Sequence, residues 1–316
     1  MRQTPPFFSI IIPTYNRPQN LAVCLNSLTH LKYPHDRFEA IVVDDGSKEA
    51  IDSIISQFHN KLNIVLIVRT HSGPAAARNA GAAQAKGDFL VFADDDCKLS
   101  FDFLARLAAR LIKSPQCIGG RTVNALPQNL YSTASQLLID YLYAYHERNP
   151  TSERFFASNN LIMPIDCFRS IGGFNVAFPR AAAEDREFCD RLQQQGYQLT
   201  YAQEILVYHY HELTFWTFCR QHFNYGRGAF CFHRIRAWRF KKSLQLRPIS
   251  FYFDLIRFPF LNAVPRQALI LSILLMISQL SNAAGFFLEW LKQVIGNVKK
   301  GEFPPLRVME GDRAGK

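Results

Sequence analysis

Three adjacent carboxylates, Asp94, Asp95 and Asp96, end the apolar run V-F-A-D-D-D at residues 91–96. Like charges this close repel and lose solvation where they are partly buried, so a chain that keeps them ordinarily has a cation for them to hold. In an extended chain alternate residues share a side, which predicts Asp94 and Asp96 facing one ion with Asp95 turned away. Oxygen ligands alone favour Mg²⁺ or Mn²⁺. The plain alternative is a solvated acidic turn capping the helix that starts near Ser100.

Four further clusters suit a diphosphate beside such an ion. I-I-P-T-Y-N-R at 11–17 carries Pro13 and sets Tyr15 on a turn, where a phenol ring can stack on a nucleobase. V-V-D-D-G-S at 42–47 offers Asp44 or Asp45 to a base imide or a ribose hydroxyl. H-S-G-P-A-A-A-R-N-A-G at 71–81 opens a helix of small residues that permits close approach, and Arg78 is a forked donor for phosphate or base. Tight helix packing explains those alanines equally well. Glu184 and Asp185, in A-A-A-E-D-R-E-F, head an amphipathic helix whose N-terminal end favours their ionised forms, with simple capping as the alternative.

These residues need strands and turns to bring them together. Apolar runs at 7–12, 38–43, 64–68 and 89–93 alternate with helical patterns at 21–28, 51–58, 75–85 and 101–112. Near-continuous apolar strands predict a mostly parallel, doubly wound α/β sheet with helices on both faces. In such sheets ligands bind beyond the carboxyl ends of the strands, where the clusters fall. Pro18 and Pro74 suit first turns of helices, and Ser47 and Ser100 are expected caps. Residues 116–205 add a strand near 117–123, a helix over 131–147 and a second strand and helix near 155–171, completing one domain.

The 316 residues are 48% hydrophobic, which argues against wholesale disorder. Seven scattered cysteines without C-x-x-C pairs indicate a reducing compartment, and the short apolar start predicts no signal peptide. The net charge of +10 is confined to the last third: residues 1–205 carry 20 basic and 20 acidic side chains, residues 206–316 carry 16 and 6. From Arg220 to Arg247 there are eight basic residues and no acidic one, interleaved with aromatics, a mixture suited to an anionic surface. Residues 267–288 form 22 consecutive uncharged positions, long enough to cross a bilayer, while their Ser, Gln and Asn residues fit an interfacial helix nearly as well. Residues 299–316 read as a polar tail.

Taken in order, I-I-P-T-Y-N-R, V-V-D-D-G-S, G-P-A-A-A-R-N-A-G, the acidic triplet, I-G-G-F and the Glu-Asp pair resemble the family 2 glycosyltransferases of the GT-A fold, over roughly residues 7–230. The resemblance implies an inverting enzyme that moves a sugar from a UDP- or GDP-linked donor. It implies a donor site of Pro13, Tyr15, Asp44, Asp45, Arg78, Asp94 and Asp95. It further implies a D-x-D pair of Asp94 and Asp96 on Mn²⁺ or Mg²⁺, and Asp185 as catalytic base. Relatives of this kind sometimes complete the metal shell with a histidine, which points to His209 in V-Y-H-Y-H, where alternation sets His211 on the same side. The family's G-G-F-D-E departs here to Gly172, Gly173, Phe174, Asn175 and Val176, which bears on acceptor contacts. The processive synthases' Q-x-x-R-W is replaced by Q-H-F-N-Y-G-R-G at 221–228, which points to one sugar per encounter.

The resulting expectation is a transferase domain over 1–230 and a basic, aromatic and helical region over 231–316. The latter would hold the enzyme at the cytoplasmic side of the cell membrane, peripherally or by one C-terminal span, near a lipid or glycan acceptor. No nucleic acid is expected as partner, because charge-driven phosphate binding requires no carboxylates at three strand ends. The competing reading, a sugar nucleotidyltransferase, would show a Gly-rich basic loop after the first strand, and 13–18 has none.

Overall fold

The computed structural model describes residues 4–111, 116–149, 154–178, 182–240, 247–263 and 265–300. The expected polar tail lies, from residue 301, outside them. The chain divides into two compact units, Met1–Leu213 and Thr214–Lys316.

In the first unit the order is β1 (Phe8–Thr14), α1 (Pro18–Leu28), β2 (Phe38–Asp44), α2 (Asp52–Ser56), β3 (Ile64–Val68), α3 (Pro74–Gln84), β4 (Phe89–Phe92), β5 (Cys97–Leu99), α4 (Phe103–Leu111), β6 (Cys117–Asn124), α5 (Leu130–Arg148), β7 (Leu161–Pro164), α6 (Ile165–Ile171), α7 (Glu184–Gln194) and β8 (Leu199–His209). One eight-stranded sheet runs β3-β2-β1-β4-β7-β6-β8-β5. Its first four strands are parallel; β7 reverses the direction against both β4 and β6, and β5 lies antiparallel on β8. The expected α/β architecture is therefore the observed one, with the strand β5 added at an edge.

The unbroken apolar strands have a direct cause. Phe8, Ile10 and Ile12 of β1 pack with Leu21, Leu25 and Leu28 of α1 and with α4, whereas Ile11 packs on the opposite face with Ala75, Ala77 and Ala82 of α3. Helices cover both faces, so every position of the strand except the half-buried Pro13 is buried. The small residues of α3 serve that packing: a Cβ on Gly81 would come within 2.6 Å of Ile11 Cγ2. It is the sheet, not a ligand, that approaches closely there. Truncating Ile11 to Ala would remove buried methyl groups from this layer at a cost of about 2–5 kcal/mol.

Pro18 and Pro74 do open their helices. The serine caps do not form. Ser47 Oγ instead accepts the Asn16 N–H at 2.8 Å, and α2 starts only at Asp52. Ser100 Oγ donates to Asp102, while its carbonyl takes the Phe103 N–H. Both hydroxyls are taken by nearer partners.

The second unit consists of α8 (Phe215–Phe240), α9 (Ile249–Asn262) and α10 (Pro265–Lys300). The boundary drawn near 230 from the sequence falls inside α8. Among the described residues, α10 over Pro265–Ile295 is the one helix long and apolar enough to cross a membrane, and 33% of its apolar window is buried. Two glycines set its packing. A Cβ on Gly226 of α8 would collide with the Asn282 carbonyl, and one on Gly285 of α10 with the Phe223 carbonyl, so the two helices meet backbone to backbone. Arg227 and Glu289 form an ion pair across the same crossing.

Candidate active site

Because β1, β2 and β4 are parallel and adjacent, Thr14, Asp44 and the residues after Phe92 emerge at one edge of the sheet. The acidic triplet does not stay extended there. The Cys97 N–H bonds the Asp94 carbonyl at 3.1 Å, a turn that breaks the alternation expected from the sequence. All three carboxylates are consequently engaged by separate elements. Asp94 Oδ1 accepts Arg78 Nη2 at 2.7 Å. Asp95 Oδ2 accepts Thr14 Oγ1 at 2.8 Å, and Arg17 Nη1 bridges Asp95 at 3.2 Å and Asp96 at 3.1 Å. Burial drives the Asp95 carboxyl up to about 7, only partly offset by Arg17.

The edge strand β5 brings the triplet to the histidines. Cys97 pairs directly with His209 across β5 and β8, and Tyr210 N–H bonds the Asp96 carbonyl at 2.8 Å. His209 Nε2 lies 3.2 Å from Asp96 Oδ1. Burial alone would raise Asp96, but the hydrogen bond and charge of His209 outweigh it and bring the carboxyl to about 2. For the same reason His209 is raised despite its burial. His211 stacks on His209 with ring centroids 4.9 Å apart, and burial together with that neighbour pushes it down to about 4. Among the described residues, donor atoms of Asp96, Cys97 and His209 lie within 4.8 Å of one another, a set that can hold a metal ion. Asp94 falls outside this group, its Oδ1 taken by Arg78. Burial and the charge of Asp96 keep the Cys97 thiol well above its ordinary range, which leaves Asp96 and His209 as the readier ligands.

A second cluster lies at the ends of β2 and β3. Asp44 accepts the Ser47 N–H at 2.9 Å and so shapes its own turn. Asp45 accepts the Gly73 N–H at 2.8 Å and the Ser72 N–H, and pairs with His71 Nδ1 at 3.0 Å and Arg69 Nε at 3.5 Å. These contacts tie the loop before α3 to β2. Tyr15 stacks on His71 with centroids 4.1 Å apart and remains 40% exposed, leaving its ring accessible. Pro13 is half-buried in β1, paired in register with Val43.

α7 supplies the third component. Ala183 precedes it with φ of 69°, a left-handed conformation that costs a non-glycine residue about 1–2 kcal/mol, and it caps the helix without any side-chain bond. Glu184 is buried, with Oε1 3.1 Å from Arg78 Nη1, and burial followed by the neighbouring Asp185 raises its carboxyl to about 7. Asp185 is half-buried and accepts the Arg186 N–H at 2.7 Å and a backbone bond from Ser158. Burial raises it as well, and the charges of Arg78 and Asp94 act on it. Arg78, its side chain only 3% exposed, thus spends its fork on Asp94 and Glu184. Asn79 beside it fixes the G-G-F segment through 2.8 Å bonds to both the N–H and the carbonyl of Phe174.

Three participants carried no role from the sequence: Thr14, Arg17 and His71. All three sit inside the quoted motifs, and only their position at the shared edge distinguishes them from ordinary strand-end and turn residues.

The family described as Glycosyl transferase family 2 matches residues 9–175. Glycosyltransferase AglE of Haloferax volcanii is 28% identical over 242 residues, 75% of this chain and 76% of that protein. Among solved structures, the mannosyltransferase PcManGT of Pyrobaculum calidifontis, in complex with GDP-Man and Mn²⁺, aligns with a TM-score of 0.59 at 18% identity over 95% of this chain and 83% of that one. Residues 1–349 of S. aureus TarS with UDP-GlcNAc align with a TM-score of 0.52 at 20% identity over 94% and 93%. The sequence match to full-length TarS of Staphylococcus aureus spans 104 residues at 39% identity, 18% of that protein. At these identities the solved structures establish a shared fold.

Proposed function

This chain belongs to glycosyl transferase family 2 and is a glycosyltransferase; from that premise we propose that it is metal-dependent and inverting, moving a sugar from a nucleoside diphosphate to a lipid or glycan acceptor. The observation that carries the reading is the convergence of Asp94, Asp95 and Asp96 with Arg17, Arg78, His209 and the Glu184–Asp185 pair at one sheet edge. The AglE match and the nucleotide sugars bound by PcManGT and TarS support the same class of donor, UDP- or GDP-linked.

In this reading Tyr15 stacks on the base, with Pro13, Asp44 and Asp45 shaping the turns around it, and Asp94 and Asp95 belong to the ribose and diphosphate region. Asp96 and His209 would hold the ion, with Asp94 beside them fixed by Arg78. The residues fit a divalent cation, since Asp96 Oδ1 and His209 Nε2 already lie 3.2 Å apart. An imidazole nitrogen suits Mg²⁺ poorly and moves the preference toward Mn²⁺. A bound cation would neutralise the charge that develops on the departing diphosphate. Arg17, its side chain 52% exposed, adds a positive charge beside the same carboxylates.

Asp185 takes the proton of the attacking acceptor hydroxyl, and its raised affinity for protons suits that task. Arg78 holds Glu184 and Asp94 in place beside it. Attack opposite the leaving diphosphate forms the new glycosidic bond as the old C1–O bond breaks, so configuration inverts without an enzyme nucleophile. Residues 214–300 attach the enzyme to a membrane, at the cytoplasmic face, where the seven free cysteines stay reduced. A screen of nucleotide sugars for Mn²⁺-stimulated hydrolysis or transfer tests the proposal. Absence of turnover with every UDP- and GDP-linked donor would sink it.

A further inference from the structure

The second unit presents an exposed apolar face that bears on the proposed attachment. Ala268, Leu271, Leu275 and Ser278 of α10 are fully buried and mark its inner face. The outer face carries Leu269, Ile273, Met276, Leu280, Phe287 and Leu291, each 46–69% exposed and spaced by three, four or seven residues on one side of the helix. At 1.5 Å per residue the stripe is about 33 Å long. Phe253, Phe260 and Leu261 are likewise exposed on α9. Soluble surfaces rarely display so continuous an apolar face.

We infer that this face lies in the headgroup region of an anionic bilayer, with α10 parallel to the surface rather than across it. The inference rests on the membrane part of the proposed function and fixes its mode. Spanning conflicts with the crossing at Gly226 and Gly285, which presses α8 against α10 with no side chain between their backbones. A spanning α10 would carry Arg227, and exposed Arg220 and Arg234 on the same α8, toward the hydrocarbon, where each charge is costly. In the interface those charges stay in water. Charge also selects the occupant. Arg266 and Lys292 flank the stripe in sequence and are exposed, as is Arg257 of α9, residues 206–316 hold 16 basic against 6 acidic side chains, and a second copy of the chain would bring the same positive excess. An anionic lipid surface complements both the stripe and its border.

The test is flotation of the full chain with vesicles of phosphatidylcholine alone or mixed with phosphatidylglycerol, for the wild type and the double variant Leu280→Glu and Phe287→Glu. Both positions are exposed, so circular dichroism should be unchanged in the variant. The expected result is flotation with the anionic vesicles, release by alkaline carbonate, and a loss of at least tenfold in bound fraction for the variant. Equal flotation of the variant, or wild-type protein that only detergent extracts, overturns the interfacial mode. A change in oligomeric state without a change in flotation would identify a second copy as the occupant and also overturn it. Nucleotide-sugar hydrolysis by the soluble variant separates failure of docking from failure of the catalytic reading.

Discussion

Arg78 Nη2 lies 2.7 Å from Asp94 Oδ1, joining the small-residue helix α3 to the acidic turn after β4. The same guanidinium reaches Glu184 at the head of α7, so the two halves of the proposed donor and acceptor machinery share one buried cation. Removing it would leave the buried Glu184 and the half-buried Asp94 without their partner; stripping the partner from a buried carboxylate such as Glu184 typically costs about 3–5 kcal/mol.

Asp185→Asn should lower transfer by about 10²- to 10⁴-fold, the usual worth of a general base, and leave affinity for the nucleoside diphosphate within about twofold. Steady-state kinetics alongside calorimetric titration of the nucleotide separates these quantities. Unchanged turnover would remove Asp185 from the mechanism.

His209→Ala should weaken Mn²⁺ binding by at least about tenfold, or about 1.4 kcal/mol, and narrow the difference between Mn²⁺ and Mg²⁺. Electron paramagnetic resonance of free Mn²⁺ reports this directly, without reference to activity. Equal affinity in the variant would assign His209 to structure alone.

The Asp95 carboxyl stands near 7 in the folded chain against an ordinary 3.8, chiefly through burial. The folded state therefore keeps a proton that the unfolded state has released, and stability falls as pH rises between about 4 and about 7, by at most about 1.4 kcal/mol per pH unit from this group. Asp95→Asn retains an acceptor for Thr14 and should flatten that slope. Thermal melts of the metal-free protein between those limits measure it, and an unaltered slope would contradict the assignment.

Much of the architecture was legible because burial on two faces leaves an unmistakable trace: 7–12, 38–43, 64–68 and 89–93 became β1 to β4 with small shifts at their ends. β5 escaped notice since three residues, C-K-L, carry no period. Within the site, residue types announced the carboxylates, but their partners did not follow from spacing. Alternation assigned Asp94 and Asp96 to one side, and the turn closed by Cys97 N–H sent Asp94 to Arg78 instead. Likewise Tyr15 was read as a base platform, while its stacking on His71 depends on a loop that Asp45 anchors from another strand. Such contacts are products of sheet order, which local sequence does not encode.

Gly285→Val should break the backbone contact with Phe223 and destabilise the helical unit by about 1–3 kcal/mol or more, the usual cost of overpacking. Limited proteolysis and helical circular dichroism would register the loss, with nucleotide binding unaffected. Wild-type protease resistance would show that the crossing tolerates a side chain.

The most direct measurement is calorimetric titration of UDP and GDP into wild type and Asp96→Asn, each with and without Mn²⁺. One nucleotide should bind the wild type at least about tenfold more tightly with Mn²⁺, and Asp96→Asn should abolish this gain. Tight binding that ignores the metal, or a gain that survives in the variant, would contradict the metal-dependent reading.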